Sequence, residues 1–104
     1  MRLKSNIPLS KIDCYINFSV RADKVIWGID SLSRAKKTPE IILFDAALGA
    51  NSRKQLETYR QRREVKTLEL PENYLNSLLK REKIKVLSIT DASLANAILT
   101  CCEE

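Results

Sequence analysis

The stretch that most constrains the fold is the short apolar run Pro39-Glu40-Ile41-Ile42-Leu43-Phe44-Asp45. Its apolar part begins with two β-branched residues, a proline precedes it, and small residues follow it. An uninterrupted apolar run of this length is typical of a strand that is buried on both faces in the middle of a sheet. Such a strand needs helices above and below it. We therefore predict that the chain folds as helices packed around a small sheet.

Helical and extended patterns alternate along the rest of the chain. Apolar spacing and breaker residues predict helices over residues 9–21, 29–36, 51–63, 71–79 and from the cap pair Thr90-Asp91 onward. Extended patterns predict strands over residues 24–27, 39–45, 65–70 and 84–89. Four strands alternating with helices indicate a layered α/β sandwich.

The length and net charge of the chain limit its domain count and the class of partner that it favours. The 104 residues make one domain, spanning 1–104, and 18 basic residues against 13 acidic ones leave a net charge of +5. An excess of basic residues in a small domain favours a polyanionic partner such as RNA.

The sequence offers little for catalysis, metal binding or membrane insertion. It has no histidine, and its three cysteines fit no metal-ligand spacing. No pair of carboxylates indicates acid–base chemistry. We therefore expect no enzyme activity, no cofactor and no metal site.

No apolar run reaches the roughly 18 residues of a membrane span, so we expect no membrane partner. An odd number of cysteines fits a reducing cytoplasm.

Three stretches, in this order and spacing, resemble a known family. They are Arg21-Ala22-Asp23-Lys24-Val25-Ile26-Trp27-Gly28, Asn51-Ser52-Arg53-Lys54-Gln55-Leu56 and Lys83-Ile84-Lys85-Val86-Leu87-Ser88-Ile89-Thr90-Asp91. They are similar to characteristic stretches of the L-seven-Ae / L-thirty-e type of ribosomal protein, especially the small bacterial L-seven-Ae-like proteins. The resemblance covers residues 12–99. It implies a three-layer α/β/α sandwich around a small mixed four-stranded sheet, and binding of kink-turn RNA.

The resemblance also implies where RNA would bind. In this family the surface combines the start of the second helix with the loop before the last strand. The positions that match it here are Gly28, Asp30, Ser31, Arg34, Lys80 and Arg81. Arg34, Lys80 and Arg81 are expected to contact phosphates, and the other three to frame the approach of a structured RNA. The expected partner is ribosomal RNA, and with it the ribosome.

The chain departs from the family at several of these positions. Binders carry Gly-x-Asn-Glu-x-x-Lys where this chain has Asp30, Ser31 and Arg34. An ionised Asp30 cannot donate a hydrogen bond, so it would repel the acceptor edge of guanine. The second loop has Asn76 and Lys80 where relatives carry glycines.

These departures leave alternative interpretations open. Asp30 and Ser31 are also residue types that cap helix N-termini, as are Asn51 and Ser52. Trp27 either packs in the core or stacks on a base. The basic residues of the helix over 51–63 form either a solvated face or a nucleic-acid patch; they are Arg53, Lys54, Arg60, Arg62 and Arg63. The alternative function is a protein-interaction or assembly module that self-associates weakly.

Overall fold

In the computed structural model, residues 2–3 and 9–103 are described, with side chains over residues 11–101. Helices and strands alternate through this part of the chain. The elements are β1 (Arg2–Leu3), α1 (Leu9–Arg21), β2 (Val25–Trp27), α2 (Gly28–Arg34), β3 (Ile41–Asp45), α3 (Ala50–Arg63), β4 (Lys66–Leu70), α4 (Tyr74–Leu79), β5 (Val86–Ile89) and α5 (Ala92–Glu103).

The strands form one mixed sheet in the order β1-β4-β3-β5-β2. β4 is parallel to β3, whereas β5 runs antiparallel to both β3 and β2. The predicted α/β/α sandwich with a mixed sheet is therefore confirmed. The sheet contains the four predicted strands and a fifth, the two-residue β1, which was not predicted. β1 lies at the edge of the sheet and pairs in parallel with β4.

The central strand β3 is buried on both faces, as its sequence predicted. All five of its residues are buried, and the four apolar ones divide between two cores. Ile41 and Leu43 pack into the core under α1, α4 and α5, whereas Ile42 and Phe44 pack into the core under α2 and α3. Successive side chains of a strand point to opposite faces, so this one strand supplies both hydrophobic layers.

The helix starts differ from the predictions. α2 spans Gly28–Arg34 rather than residues 29–36, and α4 begins at Tyr74 rather than at Pro71. Neither α2 nor α3 has a side-chain cap, because Trp27 and Gly49 occupy their N-cap positions. The predicted cap of α5 is present: Asp91 Oδ1 accepts the N–H of Leu94 at 3.0 Å.

The first and fourth helices are joined by a polar contact at the surface of their core. The Tyr74 hydroxyl donates a hydrogen bond to Asp13 Oδ1. Partial burial, together with this hydrogen bond, raises the pKa of Tyr74. None of the described helices is long and apolar enough to cross a membrane.

Asp45, the last residue of β3, joins two connections at one end of the sheet. Its side chain is buried; Oδ1 accepts the N–H of Ala47 at 2.7 Å, and Oδ2 accepts the N–H of Asn73 at 2.9 Å. A buried carboxylate needs such partners, since burial without them is costly. Asp45 therefore ties the β3–α3 loop to the β4–α4 turn.

We expect Asp45→Ala to lower the free energy of unfolding by about 2–4 kcal/mol, because two hydrogen bonds to a charged acceptor are removed. Urea unfolding followed by far-UV circular dichroism measures the change. Asp91→Ala is the control, since its carboxylate accepts one described N–H at the start of α5 and its removal costs about 1 kcal/mol. Equal destabilisation of the two variants would contradict the role assigned to Asp45.

Candidate nucleic-acid interface

The candidate interface lies at the carboxyl end of the sheet, where β2, β3 and β4 end and β5 begins. The register places Trp27 opposite Leu87, and Leu87 opposite Leu43, so these strand ends lie side by side. α2, α3 and α4 each begin just after one of these strands. In open α/β sheets, ligands bind beyond the carboxyl ends of the strands.

Gly28 starts α2 with a backbone conformation that other residues avoid. Its φ is +79°, in the left-handed region that favours glycine, so Gly28 is needed here for the shape of the backbone. A Cβ built on Gly28 would meet no atom within 4 Å. The space beside this glycine is therefore open to an approaching ligand.

The loop of residues 80–85 has a defined shape although it contains no glycine. Lys80 and Lys83 have φ values of +53° and +65°. Lys80 thus adopts a left-handed conformation, which a glycine would favour. Asn76 braces the loop: its Oδ1 accepts the N–H of Ile84 at 2.7 Å, and its Nδ2 donates to Asn73 Oδ1 at 2.9 Å.

Arg81 connects this loop to the start of α2. Its guanidinium carbon lies 4.4 Å from the centroid of the Trp27 ring. Trp27 is half-buried and packs against the core under α1, α4 and α5. A guanidinium that stacks on an aromatic face keeps its N–H edge for other hydrogen bonds. The stacking therefore holds an exposed arginine beside Gly28.

A small basic depression lies at this contact. It has a volume of about 270 Å³ and is lined by Trp27, Gly28, Arg81, Glu82, Lys83, Ile84, Lys85 and Val86. Three of these side chains are cationic and one is acidic, so the depression has an excess of positive charge. Lys85 was not predicted as a site residue, because its position beside Gly28 depends on the pairing of β2 with β5.

The predicted residues of α2 separate along the helix. Asp30 is exposed in its first turn, and Ser31 is half-buried. The interpretation of these two residues as helix caps is wrong, because the helix begins before them and no side chain caps it. Arg34 is exposed at the other end of the helix, about 9 Å from Gly28 along the helix axis at 1.5 Å per residue. The structure thus brings together Gly28 and Arg81, with Lys80 next in the loop, and leaves Arg34 at the periphery.

Arg53 has a structural role that the sequence did not reveal. Its Nε donates to Leu48 O at 3.1 Å, and its Nη2 donates to Ala46 O at 2.6 Å. Its guanidinium also lies 5.4 Å from the centroid of the Phe44 ring. Arg53 therefore holds the β3–α3 loop, a role that neither interpretation of the basic residues on this helix had included.

Among the described residues, no group of three or more histidine, cysteine, aspartate or glutamate side chains is arranged to hold a metal ion. Cys14 is exposed and Cys101 is buried, and both are free thiols.

Comparison with known proteins identifies the fold and goes no further. No family model and no curated protein sequence matches the chain. Among solved structures, the chain is similar to a protein with unknown function from Bacillus halodurans, with a TM-score of 0.81 at 13% sequence identity. The match covers 90% of this chain and 98% of the other. Since so low an identity shows the fold alone, the resemblance to the L-seven-Ae family stays a prediction from the sequence.

We expect Arg81→Ala to shift the fluorescence emission of Trp27 to longer wavelength, because removal of the stacked guanidinium exposes the ring to water. Trp27 is the only tryptophan, so the emission reports on this contact. The free energy of unfolding should fall by less than about 1 kcal/mol, the value of an exposed cation–π contact. Lys80→Ala is the matched control, since it removes the neighbouring charge without touching the stack. Indistinguishable spectra of Arg81→Ala and wild type would show that the stack does not form in solution.

Proposed function

We propose that the chain is a non-catalytic RNA-binding protein of the ribosomal L-seven-Ae type, which contacts structured, kink-turn-like ribosomal RNA. The observation that carries this proposal is the stacking of Arg81 on Trp27. It brings the basic loop of residues 80–85 beside the open backbone of Gly28. We call Trp27, Gly28, Lys80, Arg81, Lys83 and Lys85 the carboxyl-end surface.

The electrostatics of the carboxyl-end surface suit a phosphate backbone. Three of its basic side chains, those of Arg81, Lys83 and Lys85, line an open depression, so more than one phosphate can be contacted at once. Arg81 is already ordered by the stack, so less conformational entropy is lost when it binds. The open space beside Gly28 allows the RNA backbone to approach closely.

The mode of recognition differs from the one that the family motif implies. Asp30 is exposed near the start of α2, where its negative charge opposes both phosphates and the acceptor edge of guanine. Ser31 is too short to replace a glutamate or glutamine. Contacts to RNA therefore depend on Lys80 and Arg81, with Arg34 as a peripheral contact. A bent RNA exposes backbone and base edges that this surface can reach.

The setting that we infer is the cytoplasm, where a chain with three cysteines keeps them reduced. The proposal requires no cofactor and no metal. It also assigns no catalytic role to any residue, since the basic residues of the carboxyl-end surface are suited to binding phosphate rather than to moving a proton.

We expect kink-turn RNA to bind with an affinity that falls steeply as salt concentration rises, because bound cations displace counterions from the phosphates. Lys80→Gly with Arg81→Ala should weaken binding about tenfold or more and lower the salt slope by about one for each phosphate that the variant no longer neutralises. Lys80→Gly removes the charge while favouring the left-handed backbone of residue 80. Fluorescence anisotropy over a range of salt concentrations measures both quantities.

The control for these substitutions is Arg21→Ala, which removes an exposed charge at the opposite end of the sheet. Its affinity should stay within about twofold of wild type if long-range charge effects are weak. If Arg21→Ala weakened RNA binding as much as the Lys80 and Arg81 substitutions do, binding would not be localised at the carboxyl-end surface. Absence of RNA binding, together with a concentration-dependent dimer by light scattering, would favour the assembly module instead. Phe18, which is 55% exposed on α1, is the residue to test for such a contact.

A separate prediction concerns Asp30. We expect Asp30→Asn to tighten binding to kink-turn RNA by about threefold to tenfold, since it removes a repulsive charge and restores a hydrogen-bond donor. Asp23→Asn is the matched control: Asp23 is also exposed but precedes β2, at the far end of the sheet, and asparagine tolerates its φ of +57°. If the two variants tighten binding equally, or if neither does while both stay folded, α2 does not meet RNA.

A further inference from the structure

A second basic surface lies between α2 and α3, away from the carboxyl-end surface. It is an open groove of about 520 Å³, lined by Ser33, Lys54, Gln55, Thr58, Tyr59, Arg62 and Arg63. Three of these side chains are cationic and none is acidic. We call this surface the α2–α3 groove.

The cations of the groove are spaced along one side of α3. Lys54, Thr58 and Arg62 follow one another at intervals of four residues, as neighbours on a helix surface do. Lys54 and Arg62 are therefore about 12 Å apart along the helix axis, at 1.5 Å per residue. Two cations separated in this way can contact different phosphates of one strand.

The positive charge of the groove is not neutralised by the carboxylate of Glu57, because Glu57 pairs with Arg60 instead. Glu57 forms an ion pair with Arg60, and this hydrogen bond lowers the pKa of Glu57. In the part of the chain with described side chains, Lys54, Arg62 and Arg63 form no ion pair with a carboxylate. Their charge is therefore available to a polyanion.

Two further contacts give the groove a defined shape. The Arg63 guanidinium lies 5.8 Å from the centroid of the Tyr59 ring, and its Nη1 donates to Thr38 Oγ1 at 3.3 Å. The Tyr59 hydroxyl is buried and has no hydrogen-bond partner within the described structure.

We propose that the α2–α3 groove is a second RNA contact, which takes the sugar–phosphate backbone of the arm that leaves the carboxyl-end surface. The proposal rests on the proposed function for the identity of the polyanion. An acidic peptide fits less well, because protein interfaces depend on buried aromatic or aliphatic anchors and the lining of this groove is polar and basic except for Tyr59. Backbone recognition of RNA needs only spaced cations and hydrogen-bond donors.

The test is an NMR titration of the full-length ¹⁵N-labelled chain with two probes. The first probe is an RNA duplex interrupted by a kink-turn, and the second is a poly-glutamate peptide. We expect the RNA to shift amide signals of Thr58, Tyr59 and Arg62 as well as those of Gly28 and Arg81. The peptide should shift the groove signals less at equal concentration of charge.

Substitutions then measure the contribution of the groove. Lys54→Ala with Arg62→Ala removes two exposed charges and should weaken RNA binding about tenfold, with a salt slope lower by about two. The matched control is Arg21→Ala with Lys24→Ala, which removes two exposed charges near the start of β2. The control should leave the affinity within about twofold of wild type.

Each outcome separates this inference from the proposed function. RNA-induced shifts confined to the carboxyl-end surface would contradict the role of the groove as an RNA contact and leave the proposed function standing. RNA-induced shifts confined to the groove would support the groove as an RNA contact and contradict RNA binding by the carboxyl-end surface. Peptide-induced shifts without RNA-induced ones would overturn the groove as an RNA contact in favour of an acidic protein partner. Absence of any shift would overturn both.

Discussion

The buried carboxylate of Asp45 is the contact on which the geometry of the carboxyl-end surface depends. It stands at the end of β3, the strand that supplies both hydrophobic cores, and its two oxygens accept main-chain N–H groups from Ala47 and Asn73. One strand end thus fixes both the loop into α3 and the turn into α4. The cores hold Asp45 in place, and Asp45 in turn holds the segments that carry the candidate site.

A chain of hydrogen bonds continues from Asp45 to the basic loop. The backbone N–H of Asn73 donates to Asp45, and the side-chain oxygen of Asn73 accepts a hydrogen bond from the side-chain NH₂ of Asn76. The side-chain oxygen of Asn76 in turn accepts the backbone N–H of Ile84. The loop between Asn76 and Ile84 is thereby closed over a short distance, and Arg81 lies within it, stacked on Trp27. These short polar bridges keep the loop in shape while Lys80 adopts a left-handed conformation that usually favours glycine.

The layered fold could be predicted from the sequence because its signals are local. The apolar run of β3 and the cap at Asp91 both act through neighbouring residues, and both are present in the structure. The helix starts were less predictable, since Asp30 and Asn51 have the chemistry of caps but lie inside their helices. The pairing of Arg81 with Trp27 depends on sheet register between β2 and β5, which no local pattern contains.

The arginines show why a net charge of +5 predicts a class of partner but not a site. Arg53 donates to two loop carbonyls and Arg60 pairs with Glu57, so their charges are used within the fold. Arg81 and Arg63 stack on aromatic rings, which positions their charges without neutralising them. A stacked guanidinium keeps its hydrogen-bonding edge, whereas one bound to carbonyls or a carboxylate does not. Arg53 also lies against a ring, that of Phe44, but its N–H groups are bound to loop carbonyls. At the carboxyl-end surface and the α2–α3 groove the stacked arginines are bound to neither a carbonyl nor a carboxylate, so the proposed contacts to phosphate cost the least entropy there.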